Sequence, residues 1–246
     1  MKTLRSYEKN IAKIGLFLFI AAFTSCNTLK RVEDDELLLT KNNIFVNSEK
    51  IKSEDIQSLV LQETNSTLLG YPLRLNLYNL AKKDPDSSFQ AWLHRKENRE
   101  KRLVNMLSQK QVNRLGESFL VKGYSDWLKK IGEPPSIVDT LKTQKSLERL
   151  SVFYGSKGYF NNTSSYDIDT TKKKQRAEVN YTIALGKPFI VDSISRNIGS
   201  AAIDSIYTLN EDKSYIQNSK QFDLADFNNE RKRLSDLFRN TGVYNF

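Results

Sequence analysis

One helix ending occurs twice in this sequence at a fixed offset, and it limits the folds open to the chain. The segment Arg149-Leu150-Ser151 recurs as Arg233-Leu234-Ser235, and Gly158-Tyr159-Phe160 recurs at the same offset as Gly242-Val243-Tyr244. In both copies an amphipathic helix stops at a glycine, which can adopt the positive φ that closes a helix, and aromatic residues follow. Two unrelated amphipathic helices that end in glycine would also look alike, but the identical Arg-Leu-Ser in the same phase favours a true repeat.

The periodicity of the apolar residues gives the order of elements around each repeated helix. A period of two indicates strands and a three-four spacing indicates amphipathic helices. A small sheet with two helices on one face would bury the apolar stripe of each helix. We therefore predict an α+β fold of two tandem domains, each built on a three-stranded sheet with two helices on one face, of which the second is incomplete. The predicted strands cover 37–46, 165–170, 177–183 and 189–198, and the predicted helices cover 53–64, 146–157, 201–209 and 223–240.

A long helical segment, from about Leu68 to Thr140, interrupts the first copy. Its apolar residues predict helices over 73–81, 91–107 and 111–130, the last interrupted near Gly123. Gly132-Glu133-Pro134-Pro135 must end this series, because consecutive prolines exclude helical backbone before them. The predicted domains are residues 37–186, which contain the insertion at about 68–140, and residues 187–246, which stop where the second copy would enter its second strand.

The N-terminus has the features of an export signal. Four basic residues precede an apolar run over 14–23, which is too short to cross a bilayer as a helix. Thr24-Ser25-Cys26 follows and resembles a bacterial lipobox, in which the cysteine is lipidated and the chain is cleaved before it, although Phe23 replaces the usual leucine. The alternative is that Cys26 is an ordinary residue after a secretory signal. We expect residues 1–25 to be a signal peptide and residues 26–36 to be a lipid-anchored tether.

Charge and motifs exclude several classes of function. Removing residues 1–25 lowers the formal charge from +9 to about +6, with both signs mixed along the chain. This excess of basic residues suits either a surface near anionic lipid headgroups or simple solubility. The interleaved basic and aromatic residues of a nucleic-acid-binding motif are absent. His94 is the single histidine, and no phosphate-binding loop or nucleophile motif occurs. We therefore predict no catalytic residue, metal or cofactor, and no enzymatic activity.

The order of elements, with a helix that closes on Gly158-Tyr159-Phe160, resembles the POTRA domain of the BamA/TamA (Omp85) family of outer-membrane assembly proteins. The segment 186–194, Gly-Lys-Pro-Phe-Ile-Val-Asp-Ser-Ile, resembles the junction between two such domains. Within the family the chain is similar to the TamL lipoprotein branch of the Bacteroidetes. That similarity covers nearly the whole chain and is carried by residues 38–42, 69–80 and 132–135.

The resemblance implies a lipid-anchored outer-membrane protein whose POTRA domains lie in the periplasm and assist the assembly or translocation of outer-membrane proteins. The implied clients are unfolded outer-membrane proteins, and the implied partner of the insertion is a TamB-like protein. POTRA sheets are thought to bind clients by adding a strand at an exposed edge. The expected edge residues are Ser165, Tyr166, Asp167 and Ile168 in the first copy, and Phe189 and Val191 in the second.

Both the extent of the protein and its role leave other interpretations open. Members of the family continue into further POTRA repeats and a transmembrane β-barrel, which implies that the sequence is a fragment or a short form, with residues 189–246 poorly stable alone. The rival hypothesis is a stand-alone surface or periplasmic lipoprotein with an unrelated ligand-binding or scaffold role.

Overall fold

The computed structural model of the chain describes residues 27–170 and 174–244. These residues form an α+β fold with one four-stranded sheet, in agreement with the predicted class. The sheet order is β2-β1-β4-β3, with antiparallel pairing of β1 with β2 and of β3 with β4. Strand β1 runs parallel to β4, because Leu38 N donates to Gln175 O and Asn47 N donates to Ile183 O. The strands are β1 (Leu38–Val46), β2 (Glu49–Ile51), β3 (Thr163–Asp169) and β4 (Arg176–Ala184).

The short strand β2 makes the sheet larger than the three strands predicted. It follows β1 through the two-residue turn Asn47-Ser48, and both turn residues have positive φ, 48° and 70°. Positive φ at both central residues is what a tight hairpin turn requires, and asparagine tolerates it better than most residues. The sequence prediction ended the strand correctly at Asn47 but assigned no returning strand, because three residues are too few to show an alternating pattern.

The helices follow the predicted series, and several differ from it in extent. The helix expected over 53–64 is reduced to one turn, and the helix expected over 91–107 is divided at Asn98, whose φ of 65° cannot continue a helix. The helical elements are α1 (Glu54–Gln57), α2 (Leu73–Leu80), α3 (Pro85–His94), α4 (Arg99–Met106), α5 (Gln109–Gly116), a π-helical turn (Phe119–Gly123), α6 (Tyr124–Ile131), α7 (Thr140–Ser156), α8 (Ala201–Thr208), a 3-10 turn (Glu211–Lys213) and α9 (Leu224–Asn240).

The chain divides into two compact units. The first unit comprises the described residues of Met1–Thr40, Thr64–Val138 and Thr170–Ala177. The second comprises those of Lys41–Glu63, Asp139–Asp169 and Glu178–Phe246. The predicted insertion at about 68–140 therefore belongs to the first unit, whereas the residues of both repeated helices belong to the second.

Apolar clusters hold the first unit together, and its N-terminal segment is docked on them. Lys30 Nζ donates to Asn79 O at 2.7 Å, and Arg31 donates to Ala81 O at 2.6 Å. The side-chain amide of Asn79 donates to Asn27 O at 3.1 Å. The segment predicted as a tether is thus packed against the end of α2. The buried clusters are Val32, Leu38 and Leu75, and Phe89, Leu93 and Val112.

In the second unit, α7 covers one face of β4. Strand β4 alternates with period two, and Val179, Tyr181 and Ile183 are buried. The Tyr181 hydroxyl is hydrogen bonded with Ser146 and Thr143 of α7, while burial raises the pKa of Tyr181. The buried hydroxyl is therefore paired, as a polar group inside a core must be.

The two repeated helices, α7 and α9, share their length and the geometry of both ends. Both helices have 17 residues and begin with an aspartate cap, Asp139 and Asp223, whose carboxylates accept from backbone N–H groups of the first turn. Both end at a glycine in the left-handed region, with φ of 90° at Gly158 and 86° at Gly242. The residue after each glycine donates its N–H to the carbonyl five residues earlier, at 3.1 Å and 2.9 Å. This is the bond of a glycine-closed helix end.

A buried polar group lies at the same position of each repeated helix and holds the preceding loop. Ser146 Oγ accepts from Leu61 N at 2.9 Å, and Glu230 Oε2 accepts from Tyr215 N at 3.1 Å. The two partners are 85 residues apart in the first copy and 15 in the second, a difference of 70. Most of that difference is the helical insertion. The first copy therefore has the same loop-to-helix hydrogen bond as the second, although the insertion separates the two partners in sequence.

Three glycine-to-alanine substitutions separate backbone strain from steric overlap. In Gly158 an added Cβ would lie 2.8 Å from Phe222 O, whereas Gly242 and Gly155 have no atom within 4 Å of that position. We expect Gly158→Ala to lower the free energy of unfolding by roughly 3 kcal/mol, from positive φ plus overlap. Gly242→Ala should cost about 1 kcal/mol from φ alone, and Gly155→Ala, inside α7, should be neutral or stabilise by about 1 kcal/mol. Urea unfolding of the full chain measures the change in the free energy of unfolding for each of the three variants. Equal changes at the three positions would contradict this ranking.

Glu230 makes the stability of the second unit dependent on pH. Burial alone raises the pKa of Glu230, but hydrogen bonds from Arg233 and Tyr215 N outweigh burial, and the pKa is lowered from 4.5. The ionised carboxylate therefore stabilises the fold above about pH 4.5, and this contribution is lost as pH falls through the folded pKa. We expect Glu230→Gln to cost about 2 kcal/mol at neutral pH, since a charged hydrogen-bonded pair is broken. The exposed control Glu148→Gln should change stability by less than about 0.5 kcal/mol.

Urea unfolding at a series of pH values checks this prediction. The difference between the parent and Glu230→Gln should shrink below pH 4.5. A difference that stays constant with pH would show that the charge of Glu230 does not stabilise the fold.

Candidate strand-edge interface

Strand β3 lies at the end of the sheet order and carries one full set of predicted edge residues. Ser165, Tyr166, Asp167 and Ile168 all lie in β3, which pairs with β4 from Thr163 opposite Ala184 to Asp169 opposite Glu178. No described strand pairs with the other side of β3. Unpaired backbone N–H and C=O groups on such an edge are a template for another strand.

The side chains of β3 alternate between two different environments. Tyr166 lies opposite Tyr181, and Ile168 lies opposite Val179, on the face that α7 covers. These two side chains are half-buried, whereas Ser165 and Asp167 are exposed on the other face. Because successive side chains of a strand point to opposite faces, an added strand would place alternate side chains beside Tyr166 and Ile168. The edge can therefore bind an extended segment with apolar residues at every second position.

The opposite face of the sheet carries a polar network that reaches from β2 to β4. Lys50 Nζ donates to Asn43 Oδ1 at 2.5 Å, and the Asn43 amide donates to Glu178 at 3.1 Å and to Asn180 at 2.8 Å. Asp169 lies directly opposite Glu178 on the neighbouring strand. Charged residues on an edge strand discourage indiscriminate pairing between sheets.

The second predicted edge has a local partner. Phe189 and Val191 lie outside the regular strands, in an extended segment beside residues 219–222. Phe189 N donates to Gly158 O, Phe222 N donates to Phe189 O, and Val191 N donates to Lys220 O, at 2.8–2.9 Å. These backbone groups are paired within the chain. A binding role for Phe189 and Val191 stays a prediction. Of the two predicted edges, β3 is the one whose outer side is not paired with another described strand.

Phe189 belongs to an aromatic cluster that joins the two repeats, a role that the sequence analysis missed. The Phe160 ring lies 5.2 Å from the Phe189 ring and 5.1 Å from the Phe222 ring, between centroids. Beside them Lys157 Nζ lies 2.7 Å from Asp223 Oδ2, and this hydrogen bond holds the pKa of the Asp223 carboxyl below its usual range. The sequence contained a signal for Asp223, because this residue has the same place in the second repeated helix as the capping residue Asp139 has in the first.

The first unit contains a cleft of about 910 Å³ that sequence reasoning also missed. The Arg31 guanidinium lies 4.9 Å from the centre of the Tyr78 ring, and its Nε is buried without a hydrogen-bond partner among the described residues. The charges in the lining come from two segments about fifty residues apart in sequence, so no local pattern marks the cleft. The charged lining residues are Lys30, Arg31, Lys82 and Lys83, together with Glu33, Asp34 and Glu36.

Other predicted features are placed as follows. Cys26 lies outside the described residues. His94 is largely exposed and lies 3.2 Å from Glu100 on the protein surface. In residues 27–170 and 174–244, no cluster of histidine, cysteine and acidic side chains could hold a metal ion. Within the same residues, every helix is too short or too polar to cross a bilayer.

Comparison with known proteins gives no relative from which a function could be transferred. No family model, curated protein or solved structure matches the chain. The geometry of the β3 edge and the resemblance in the sequence are therefore the grounds for a functional hypothesis.

Proposed function

We propose that this chain is the periplasmic, POTRA-containing part of an outer-membrane lipoprotein of the BamA/TamA family, similar to TamL. In this proposal it assists assembly or translocation of outer-membrane proteins by binding unfolded clients or partner subunits. The observation that carries the proposal is the accessible edge of β3, with alternating half-buried and exposed side chains. The lipid on Cys26 would hold the chain at the outer membrane.

The order of elements supports this proposal. A POTRA-like unit has the order strand, helix, helix, strand, strand. The elements β1, α1, α7, β3 and β4 follow that order, apart from the short strand β2 between β1 and α1. The helical insertion lies between α1 and α7. The second copy begins with the same elements, an extended segment followed by α8 and α9. The matching glycine-closed ends of α7 and α9 are consistent with tandem domains.

The energetics of strand addition fit a transient interaction. Each backbone hydrogen bond contributes about 0.5–1.5 kcal/mol net, whereas ordering an unfolded client costs about 1–2 kcal/mol per residue. The seven residues of β3 therefore give little net affinity from the backbone alone. Contacts with Tyr166 and Ile168 have to supply the remainder. The result is weak and reversible binding, as transfer of a client requires.

Site-specific photo-crosslinking tests the client-binding edge. Ser165 on β3 and Thr182 on β4 are a cross-strand pair, and both side chains are exposed. We expect a photoreactive residue at Ser165 to form adducts with an unfolded outer-membrane protein, because β3 has an accessible side. The same residue at Thr182 should give far fewer adducts, since β4 is flanked on both sides by β1 and β3.

The paired positions control for exposure and for position along the sheet. Equal adduct yields at Ser165 and Thr182 would show that clients contact the face of the sheet rather than its edge. A folded soluble protein offered in place of the client should give no adducts at either position.

Metabolic labelling tests the lipid anchor separately. We expect the parent chain to incorporate a labelled fatty acid and to fractionate with outer membranes. Cys26→Ser should remove both properties, because Cys26 is the only cysteine in the chain and the lipobox requires its thiol. Label retained in the serine variant would exclude lipidation at this position.

A stand-alone lipoprotein with a ligand-binding role is the second candidate, favoured by the cleft of about 910 Å³ in the first unit. The cleft offers the Arg31 guanidinium and the Tyr78 ring to a small polar ligand. Reading the genomic sequence beyond Phe246 separates the two candidates. A frame that continues into further POTRA repeats supports the assembly family, and a stop codon there favours the stand-alone lipoprotein.

A further inference from the structure

Four large apolar side chains of the first unit form an exposed face, which we call the aromatic face. Its members follow one another closely in sequence, and all remain accessible despite their size. A contiguous exposed apolar patch on a folded unit marks a surface that contacts something else. The exposed fractions are 61% for Phe119, 86% for Leu120, 47% for Tyr124 and 48% for Trp127.

The backbone holds these side chains together at the surface. Phe119–Gly123 is a π-helical turn, in which Tyr124 N donates to Phe119 O. This turn brings the Phe119 ring within 6.5 Å of the Tyr124 ring, which stacks in turn at 6.1 Å on Trp127. The Phe119 ring packs so closely on Gly123 that a Cβ there would meet it at 2.8 Å. π-Helical turns are rare and frequently occur at functional sites.

The core does not need these rings. Helix α6 buries its other face, through Ser125 and Leu128, and leaves Tyr124 and Trp127 outward. Lys129 and Lys130 lie in the last turn of the same helix, and Asp126 lies in its first turn. Tryptophan and tyrosine with neighbouring lysines are the residues that lie at the headgroup level of membranes.

The start of the mature chain lies in the same unit as the aromatic face. The backbone carbonyl of Asn27, the residue directly after Cys26, accepts from the side chain of Asn79 in α2. The end of α2 is bonded to α6, because Lys82 N donates to Ser125 Oγ at 3.3 Å. A lipid on Cys26 would therefore attach to the structural element that packs against α6, with no free linker after Asn27.

We propose that the aromatic face lies in the headgroup region of the phospholipid membrane that holds the lipid of Cys26, and that it orients the first unit on that membrane. This inference rests on the lipid anchor of the proposed function. The lipid restrains one point of the unit and leaves rotation about it free. A second contact through Leu120 and the neighbouring rings removes that freedom.

The two tryptophans of the chain provide an internal control for a test in membranes. Trp92 and Trp127 are the only tryptophans, and they are equally exposed, at 47% and 48%. Trp92 lies on α3, stacked on Phe89 and under Arg99, and is not one of the four side chains of the aromatic face. The variants Trp92→Phe and Trp127→Phe each leave one tryptophan as a fluorescent reporter.

The full-length lipidated protein is reconstituted into vesicles of phosphatidylethanolamine and phosphatidylglycerol, with bromine in the upper acyl chain of part of the lipid. An interfacial side chain lies about 5–10 Å deep, so bromine should quench roughly half of the Trp127 emission. Trp92 emission should stay unchanged. Equal quenching of both tryptophans, or quenching of neither, would overturn the inference.

Substitutions at two equally exposed residues test the role of the face itself. Leu120→Glu places a charge at the most exposed side chain of the aromatic face. The control Met106→Glu places the same charge on α4, at a side chain that is 82% exposed. We expect Leu120→Glu to abolish quenching of Trp127 and Met106→Glu to leave it intact. Both sites lack buried contacts, so both variants should fold. Retained quenching in Leu120→Glu would overturn the inference.

Flotation of the same samples separates this inference from the proposed function. If the vesicles carry the protein but Trp127 is not quenched, the inference fails and the lipid anchor stands. If Cys26→Ser floats as well as the parent and Trp127 is quenched, the membrane contact stands and the lipid anchor fails. If the parent does not float, both fail.

Discussion

The close approach at Gly158 is the constraint on which the second unit depends. Helix α7 must end there with φ of 90°, and the backbone carbonyls of Phe189 and Phe222 come within 3.2 Å of where a side chain would begin. The Gly158 carbonyl then accepts from Phe189 N, so the end of the first repeated helix becomes the start of the second copy. The aromatic cluster of Phe160, Phe189 and Phe222 closes over this junction. One glycine thus fixes both a helix end and the connection between the repeats.

Local signals predicted the elements that are determined locally. The glycines at 158 and 242 gave both helix ends, the period-two alternation gave β4, and the two prolines gave the end of the helical insertion. The features that were missed depend on contacts between distant residues. Lys30 binds the carbonyl of Asn79, 49 residues away, and this docking turns an expected tether into part of a packed unit. The cleft beside it has the same origin, because its charged lining residues come from two segments about fifty residues apart in sequence.

The insertion shows how a repeat can gain a new surface without losing its own fold. The contact from Ser146 to Leu61 N has the same place in the first copy as the contact from Glu230 to Tyr215 N in the second. The helices between them in the first copy form an apolar cluster of their own, with Phe89, Leu93 and Val112, so they do not have to share the core around α7 and β4. An extra unit that brings its own core costs the parent fold little more than the closure of a longer loop.

The two proposed surfaces place opposite demands on their side chains. Strand addition at β3 needs an accessible backbone and tolerates varied partners, and the acidic residues Asp167 and Asp169 keep that edge from pairing indiscriminately. A membrane contact needs rings that are held outward, which the π-helical turn at Phe119–Gly123 supplies. The surfaces belong to different compact units and share no residue. Substitutions in one should therefore add to substitutions in the other without coupling, as expected for independent sites.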